Sequence, residues 1–331
     1  MKTMKKNATI KAIISGVPSD NGGNIEMRAL SVCIREWLDN TKRLSVKPAT
    51  FDRLETTYDA LLRHPIASQP VHTLTTSDLQ RYINSLAADG YSLSTIKKQY
   101  HLVSAYIKYA NGEGLMLRPI HNNVKLPAKS TMQSKRSVPT YTKPEEIALR
   151  KVLNTGKRFG YYAALLMLET GLRVGEALAL TWDDVQWERS ALSVNKTLIR
   201  IANRRRIEVQ DSAKSHTSNR IIPLSKTAIE ILEKVCERSE DPHGYIFAGE
   251  DGSPISYEAM RYQIQHACSD ARVPYKGQHA FRHTFATNCY KRGADIKLLS
   301  KILGHCDVSI TFNIYIHLYG DALEELRTIV G

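Results

Sequence analysis

The sequence predicts a mainly α-helical protein with a small antiparallel β-sheet, divided into two domains. Apolar residues recur every three to four positions over 27–112 and again from 142 onward, which is the spacing of amphipathic helices. Alternation with a period of two over 191–224 interrupts the second helical stretch and indicates strands. A polar, proline-punctuated segment over 126–139 separates the two stretches and is typical of a linker.

The balance of charge favours a polyanionic partner. The 331 residues include 46 Lys+Arg against 33 Asp+Glu, a formal net charge of +13, which points to nucleic acid first and to an anionic membrane surface second. No apolar run approaches the roughly 20 residues that a bilayer crossing requires. Lys11 interrupts the N-terminal stretch before a signal-peptide core can form. We therefore expect a cytoplasmic protein without a membrane partner.

The cysteines give no sign of a disulfide framework or of a structural zinc site. The sequence contains 5 of them, widely scattered and never in a Cys-x-x-Cys spacing. They are Cys33, Cys236, Cys268, Cys289 and Cys306.

The first domain is predicted over 27–125 as a bundle of four helices, after a flexible basic arm over 1–25. The third helix is expected to begin with a capping signature at Thr76 and to end at Gly90, and the fourth begins at Ser92. Cationic and hydroxyl side chains on the polar faces and in the linker are candidates for DNA contact, although a solvated surface has the same composition. These candidates are Lys47, Thr50, Arg53, Lys97, Lys98, Lys135 and Arg136. Whether the arm binds DNA or is only a disordered terminus stays open.

The second domain is predicted over 140–331 and opens with a helix that is capped at Thr142. Gly171 ends an apolar helix, and Arg173 begins the next one. Glu176 lies three residues beyond Arg173 on the same side of that helix, so its carboxylate can hold the guanidinium.

The strand-like part of the second domain predicts one small antiparallel sheet. Its three period-two runs are 192–201, 206–210 and 220–223. The polar connection over 211–218 reads as a turn with Lys214 at its tip.

Helices return after the sheet and carry several polar residues that suit phosphate chemistry. His279 and Arg282 lie three residues apart on one helix face, and His283 lies one turn beyond His279. A helix-ending glycine precedes His305, and Tyr315 comes ten residues later. An arginine fork meets two phosphate oxygens at once, and a tyrosine beside such a phosphate can act as a nucleophile. The helices are expected over about 226–238, 256–271, 279–292, 296–304, 308–317 and 320–329.

Each of these residues has an ordinary interpretation when it is taken alone. A helical arginine is usually salt-bridged, a lysine on a turn is usually solvated, and a tyrosine in an apolar helix usually lies in the core. Taken together, the set resembles the tyrosine recombinase, or phage integrase, family, and especially the integrases of integrative and conjugative elements. The matching segments are Thr170-Gly-Leu-Arg173-Val-Gly-Glu176-Ala-Leu, Lys214 ahead of Ser218-Asn-Arg-Ile-Ile-Pro-Leu, His279-Ala-Phe-Arg282-His-Thr-Phe-Ala, Leu303-Gly-His305 and Tyr315-Ile-His317.

The resemblance implies strand cleavage and rejoining in DNA, which integrates or excises a mobile element. Tyr315 is expected to attack a DNA phosphate, which leaves a 3′-phosphotyrosine and a free 5′-hydroxyl. Arg173 and Arg282 clamp the non-bridging oxygens and stabilise the charge of the transition state. Lys214 protonates the departing 5′-oxygen.

The resemblance also gives roles to the remaining polar residues of these motifs. His279 assists proton transfer at the attacking oxygen, and His305 donates a hydrogen bond to the phosphate. Glu176 and His283 support these groups without touching the phosphate. No metal or other cofactor is implied, and rejoining needs no ATP because the phosphotyrosine keeps the energy of the broken bond.

Other function classes fit the sequence less well. A zinc hydrolase that used His279 and His283 would need a glutamate where Ala280 stands, and a rolling-circle relaxase would need a His-x-His motif that the sequence lacks. Two alternatives stay open: a type IB topoisomerase-like strand transferase has the same chemistry, and a catalytically inactive DNA-binding regulator would have the same charge.

The implied partners follow from recombination between two duplexes. A core-binding domain over 27–125 and a catalytic domain over 140–331 are expected to clamp double-stranded attachment sites, which multiplies phosphate contacts. The active assembly is expected to be a tetramer on DNA, with the segment 320–329 docking on the next protomer. An accessory DNA-bending or excision factor is a further expected partner.

Overall fold

The computed structural model describes residues 28–115, 119–128, 139–201, 206–211, 219–305, 307–309 and 311, and only the backbone of 200, 201, 206–208, 210 and 211. The chain divides into two compact units, Met1–Ser134 and Lys135–Gly331, and each has a hydrophobic core of its own. The boundaries 27–125, 126–139 and 140–331 stay a prediction. Several predicted features lie outside the described residues: the arm over 1–25, Lys135, Arg136, Lys214, Tyr315 and the segment 320–329.

The first unit contains the four helices that the apolar spacing predicts. They are α1 (Leu30–Trp37), α2 (Pro48–Leu61), α3 (Thr76–Ala88) and α4 (Leu93–Gly112). Beyond its last residue α1 runs on through a π-helical segment, Leu38–Lys42, and one α-helical turn, Arg43–Ser45. The apolar spacing did not indicate this change of helix type.

Helix α3 begins at Thr76 as predicted, but the residue that caps it is Thr75, one position earlier. The hydroxyl of Thr75 accepts a hydrogen bond from the Asp78 amide at 3.2 Å, and the Asp78 carboxylate accepts one from the Thr75 amide at 2.9 Å. This reciprocal pair is a capping box around Thr75 rather than Thr76. Two threonines stand side by side in the sequence, and only the pairing with Asp78 distinguishes them. The predicted cap of α4 at Ser92 is confirmed.

The second unit is organised around one buried helix. Its helices are α5 (Lys143–Leu153), α6 (Phe159–Thr170), α7 (Val174–Ala179), α8 (Lys226–Cys236), α9 (Tyr257–Asp270), α10 (His279–Lys291) and α11 (Ile296–Leu303). Helix α6 is apolar on all sides, which is typical of a fully buried helix. It packs against α5, α7, α8, α9 and α10. The end of α6 therefore lies deep in the unit, next to residues that arrive from several other elements.

The strands pair antiparallel, as predicted, but they form two small sheets and not one. The strands are β1 (Val185–Gln186), β2 (Ala191–Val194), β3 (Lys196–Ile201), β4 (Arg206–Asp211) and β5 (Arg220–Pro223). One sheet has the order β1-β2-β5, and the other consists of β3 and β4. The predicted run 192–201 breaks at Asn195, since Val194 pairs with Arg220 and Lys196 pairs with Asp211. The inward side chains keep a period of two across that break, so the pattern could not reveal the change of partner.

Within the described ranges, no helix has both the length and the apolar character that crossing a membrane requires.

Candidate active site

Two helix ends meet at the site, and each ends in a left-handed glycine. Gly171 follows α6 with φ 68° and Gly304 follows α11 with φ 65°. A Cβ atom on Gly171 would lie 2.4 Å from the ring of Phe285, and one on Gly304 would lie 2.9 Å from the Arg220 guanidinium. Both positions require glycine, because it adopts a positive φ without strain and leaves room for the neighbouring side chain. The last carbonyl groups of a helix carry partial negative charge, so these two ends attract cations.

Arg282 is held by both helix ends. It extends from α10 and is only 5% exposed. Its Nη1 donates to the carbonyl oxygen of Gly171 at 2.8 Å, and its Nη2 donates to that of Leu303 at 2.7 Å. These bonds compensate for the burial of the cation and fix the plane of the guanidinium.

Arg173 lies beside Arg282 and is more exposed to solvent. Its side chain is 37% exposed. Its Nη1 donates to Glu176 Oε1 at 2.7 Å, as the spacing of three residues predicts, and its Nη2 donates to the carbonyl oxygen of Gly304 at 2.9 Å. Since Leu303 and Gly304 are consecutive, the two guanidinium groups bind neighbouring carbonyls and lie close together. Two adjacent guanidinium groups make a binding site for a phosphate.

Glu176 is the buried anion between the arginines. Its Oε2 accepts from the backbone amide of Arg173 at 2.8 Å and from Arg220 Nη2 at 2.8 Å. Burial by itself would raise the pKa of Glu176, but the hydrogen bonds and charges of Arg220 and Arg173 lower this pKa to about 2. The carboxylate therefore stays ionised and keeps its hold on both arginines throughout the neutral range.

His305 is a neutral imidazole with a defined tautomer. Its Nε2 lies 2.8 Å from Arg282 Nη2, and its Nδ1 lies 2.7 Å from the hydroxyl of Thr311. Arginine can only donate, so Nε2 accepts, and the proton lies on Nδ1 and is donated to Thr311. Burial, followed by the positive charges of Arg282 and Arg173, lowers the pKa of His305 to about 4.

The two histidines of α10 are also shifted towards the neutral form. Desolvation, then the charges of Arg282 and Arg173, lower the pKa of His279, the first residue of the helix. Burial, then His279 and Arg282, lower the pKa of the half-buried His283 to about 4. A neutral imidazole can accept a proton, which a general base must do. Within the described residues, His, Cys, Asp and Glu form no group of three or more that could hold a metal ion.

The structure thus brings together four of the residues that the sequence singles out. Arg173, Glu176, Arg282 and His305 share hydrogen bonds or adjacent carbonyl partners. Arg220 follows closely after the segment that carries Lys214.

The sequence did not assign a role to two residues of this cluster, Arg220 and Thr311. Arg220 and Ile222 stand two apart in β5, and Ile222 is buried. A charged residue on the buried face of a strand indicates a buried partner, and this signal was present in the sequence. No pattern in the sequence points to Thr311, whose importance depends on its place beside His305.

The candidate DNA contacts of the first unit lie on its surface. Lys47, Arg53, Lys97 and Lys98 are exposed, and Thr50 is half-buried. These positions are compatible with a phosphate partner and equally with solvent.

Comparison with known proteins gives one consistent result. The family model described as "Phage integrase family" matches residues 142–321. The protein "Tyrosine recombinase XerC-like" of Caldanaerobacter subterraneus subsp. tengcongensis is 28% identical over 322 residues, which cover 90% of this chain and 82% of that protein.

Solved structures with the same fold include two integrases in complexes with DNA. The Tn1549 transposon integrase with transposon right end DNA has a TM-score of 0.75 and 21% identity, over 92% of this chain and 100% of that one. A lambda integrase tetramer bound to a Holliday junction has a TM-score of 0.62 and 17% identity, over 94% of this chain and 85% of that one.

Proposed function

The chain belongs to the phage integrase family, the tyrosine recombinases, and on that premise we propose that Tyr315 cleaves and rejoins DNA at the site around Arg173 and Arg282. The protein is a site-specific recombinase of the integrase type. The proposed reaction integrates or excises a mobile element. Tyr315 attacks one phosphodiester, the bond to the 5′-oxygen breaks, and the DNA keeps a 3′-phosphotyrosine link to the protein. Attack by a 5′-hydroxyl on that link reverses the step and rejoins the strands.

The adjacent guanidinium groups of Arg173 and Arg282 are the observation that carries this proposal. They bind the neighbouring carbonyls of Gly304 and Leu303 at 2.9 and 2.7 Å. A phosphate beside them would have its two non-bridging oxygens neutralised by groups that are already in place. Such preorganised charge stabilises a pentavalent transition state because little reorganisation is needed when the negative charge develops.

Proton transfer is assigned to groups around this pair. Lys214 gives a proton to the leaving 5′-oxygen, and the neutral His279 assists removal of the phenolic proton. In the structure, His305 Nε2 accepts from Arg282, so donation to a phosphate requires the other tautomer. The Thr311 hydroxyl can donate as well as accept, so it can serve His305 in both tautomers.

Glu176 and His283 support the proposed reacting groups without touching the phosphate. Glu176 orients Arg173, to which it is bonded at 2.7 Å. His283 lies on α10 one turn beyond His279, and its lowered pKa keeps it uncharged, so that it adds no cation to the cluster.

The proposed partner is double-stranded DNA at attachment sites, gripped by both units. Exposed cations of the first unit, Lys47, Arg53, Lys97 and Lys98, together with Thr50, would contact the backbone. Lys135 and Arg136 are proposed to do the same. The lambda integrase of known structure is a tetramer on a Holliday junction, and we propose a tetramer on DNA here as well. We also propose that an accessory DNA-bending or excision factor takes part and that the protein acts in the cytoplasm.

Trapping the covalent intermediate tests this proposal. The full-length protein is incubated with a nicked suicide duplex of its cognate end and separated on a denaturing gel. Wild-type protein should form an adduct and Tyr315→Phe should form none, while both bind the duplex equally. Tyr319→Phe is the matched control and should form the adduct normally. An adduct that survives in Tyr315→Phe and disappears in Tyr319→Phe would overturn the assignment. The absence of any adduct with wild-type protein would favour an inactive DNA-binding regulator.

A further inference from the structure

Arg220 has a buried side chain, to which the reaction proposed above gives no role. It is the first residue of β5, and its side chain is only 5% exposed. Its Nη1 and Nη2 donate to the two carboxylate oxygens of Glu176 at 3.1 and 2.8 Å. Its Nε donates to the carbonyl oxygen of Ile302 at 2.6 Å. The side chain thus connects three elements: β5, the start of α7 and the end of α11.

We propose that Arg220 is a positioning residue for DNA cleavage, which orients Arg173 through Glu176 and His305 through the end of α11. This inference rests on the proposed function and adds a residue to its machinery. Arg220 is assigned no contact with DNA. Its effect on the reaction is indirect and depends on how it places Arg173 and His305, which are proposed to contact the phosphate.

The carboxylate of Glu176 is shared between Arg173 and Arg220. Its Oε1 accepts from Nη1 of both Arg173 and Arg220, and its Oε2 accepts from the backbone amide of Arg173 and from Nη2 of Arg220. Arg220 therefore holds the carboxylate from one side while Arg173 uses it from the other. Without Arg220 the carboxylate could rotate, and Arg173 would lose its fixed orientation.

At the end of α11, three consecutive carbonyls accept hydrogen bonds from three arginines. Ile302 accepts from Arg220, Leu303 accepts from Arg282, and Gly304 accepts from Arg173. His305 is the next residue in the chain. A helix end held at one carbonyl cannot shift without moving the two beside it, so Arg220 helps to fix the places of both other arginines and of His305.

Burying the ion pair of Arg220 and Glu176 has a cost in desolvation. Replacing a buried ion pair by apolar groups is often neutral or favourable for stability, because desolvation of the charges offsets their attraction. The pair of Arg220 and Glu176 is therefore poorly explained by stability alone. Its three directed donors also require the planar fork of arginine, which a lysine ammonium cannot reproduce.

Single-turnover cleavage of the suicide duplex tests the proposal in the full-length protein. Arg220→Met and Arg220→Lys should each lower the cleavage rate constant by about 10- to 100-fold, the scale expected from misplacement of a catalytic group. Their DNA dissociation constants should stay within about threefold of the wild-type value, because Arg220 neutralises no phosphate. The exposed Arg189 supplies the matched control, and Arg189→Met should cleave like the wild type.

A double-mutant cycle with Glu176→Gln separates positioning from a purely structural role. If Arg220 acts through Glu176, Arg220→Lys should cost far less in the Glu176→Gln background than in the wild type. Additive effects on the rate, or a wild-type rate in Arg220→Lys, would overturn the proposal, and Arg220→Lys decides the matter should Arg220→Met fail to fold. An unreactive wild-type protein would instead refute the proposed function.

Discussion

Arg173, Arg220 and Arg282 converge on one helix end, and their partners explain why like charges tolerate this proximity. Each binds a different carbonyl at the end of α11, where the helix dipole is negative. Glu176 adds one full negative charge between two of them. Burial, followed by the positive charges of Arg282 and Arg173, lowers the pKa of the nearby His305, which stays neutral. A phosphate would bring the negative charge that this arrangement favours.

The role of Lys214 can be tested with a change in the leaving group. If Lys214 protonates the departing 5′-oxygen, Lys214→Ala should slow cleavage by a factor on the order of 10²–10⁴. A duplex with sulfur at the bridging 5′ position leaves without that proton and should regain most of the rate. The measurement is the single-turnover rate on both duplexes. Equal impairment on both would move the acid role elsewhere, with His216 of the same predicted turn as the first alternative.

The neutral histidines predict a particular dependence of stability on pH. The pKa of His283 and that of His305 are each lowered from 6.5 to about 4 in the folded protein. Between these values the unfolded chain binds more protons than the folded one, so stability is complete above pH 6.5 and falls as the pH drops towards 4. From pH 7 to pH 5 each histidine should cost roughly 1–2 kcal/mol.

Urea unfolding at the two pH values measures this loss. The variants His283→Gln and His305→Gln should each show a smaller difference between pH 7 and pH 5 than the wild type. A difference that is equally large in both variants would show that other groups cause it.

The sequence predicted part of this residue-scale arrangement. The pair of Arg173 and Glu176 follows from a spacing of three residues on one helix, which is local and visible in the sequence. The contacts of Arg220 with Glu176 and of His305 with Thr311 could not be predicted in this way. The first joins elements that are distant in the chain, and the second depends on the path of the backbone after α11.

At the scale of elements, the ends of α6 and α11 supply the carbonyl groups that hold the arginines of the site. Both end in a glycine with positive φ, and their last carbonyls hold the two arginines that are proposed to bind phosphate. The apolar spacing predicted both helices and both glycine ends. For α11, the sequence predicted the length of the helix and its end at Gly304. Which arginine binds each of its last carbonyls depends on the tertiary structure and could not be predicted.

A substitution at the end of α11 tests this role of the helix end. Gly304→Ala should reduce stability through backbone strain and should also slow cleavage, because its Cβ would lie 2.9 Å from the Arg220 guanidinium. Gly252→Ala is the matched control, since Gly252 has φ 73° and an added Cβ there would meet no atom within 4 Å. Both should lose about 1 kcal/mol of stability from the left-handed conformation, and only Gly304→Ala should lose cleavage rate as well. Equal cleavage rates in the two variants would contradict a role for the helix end.

At the scale of the whole molecule, the positive charge of the chain is consistent with two domains that both bind DNA, as proposed. The formal charge is +13, and exposed cations occur on the helical unit as well as around the candidate active site.

The alternation that predicted one sheet was misleading at this scale, because a strand pattern shows which face of a strand is buried and does not show which strand pairs with it. The assignment to DNA of individual surface residues such as Lys97 rests on the family and on charge, and stays a proposal.

Salt dependence tests whether the helical unit grips the backbone. Replacing Lys47, Arg53, Lys97 and Lys98 together by glutamine should flatten the log–log plot of affinity against salt by about 0.9 for each phosphate that the variant no longer neutralises. Arg63→Gln with Lys108→Gln is the control, since both residues are exposed cations of the same unit outside the proposed set, and it should leave the slope close to that of the wild type. A slope unchanged by the fourfold substitution would contradict backbone contact through these residues.

The most direct test of the central claim is the chemical identity of the covalent intermediate. The adduct formed with a suicide duplex is digested with nuclease and trypsin, and the tryptic peptide 302–327, which contains both Tyr315 and Tyr319, is fragmented in a mass spectrometer. We expect a nucleotide on the phenolic oxygen of Tyr315, linked through its 3′-phosphate. A nucleotide on Tyr319, or one linked through a 5′-phosphate, would contradict the proposed mechanism.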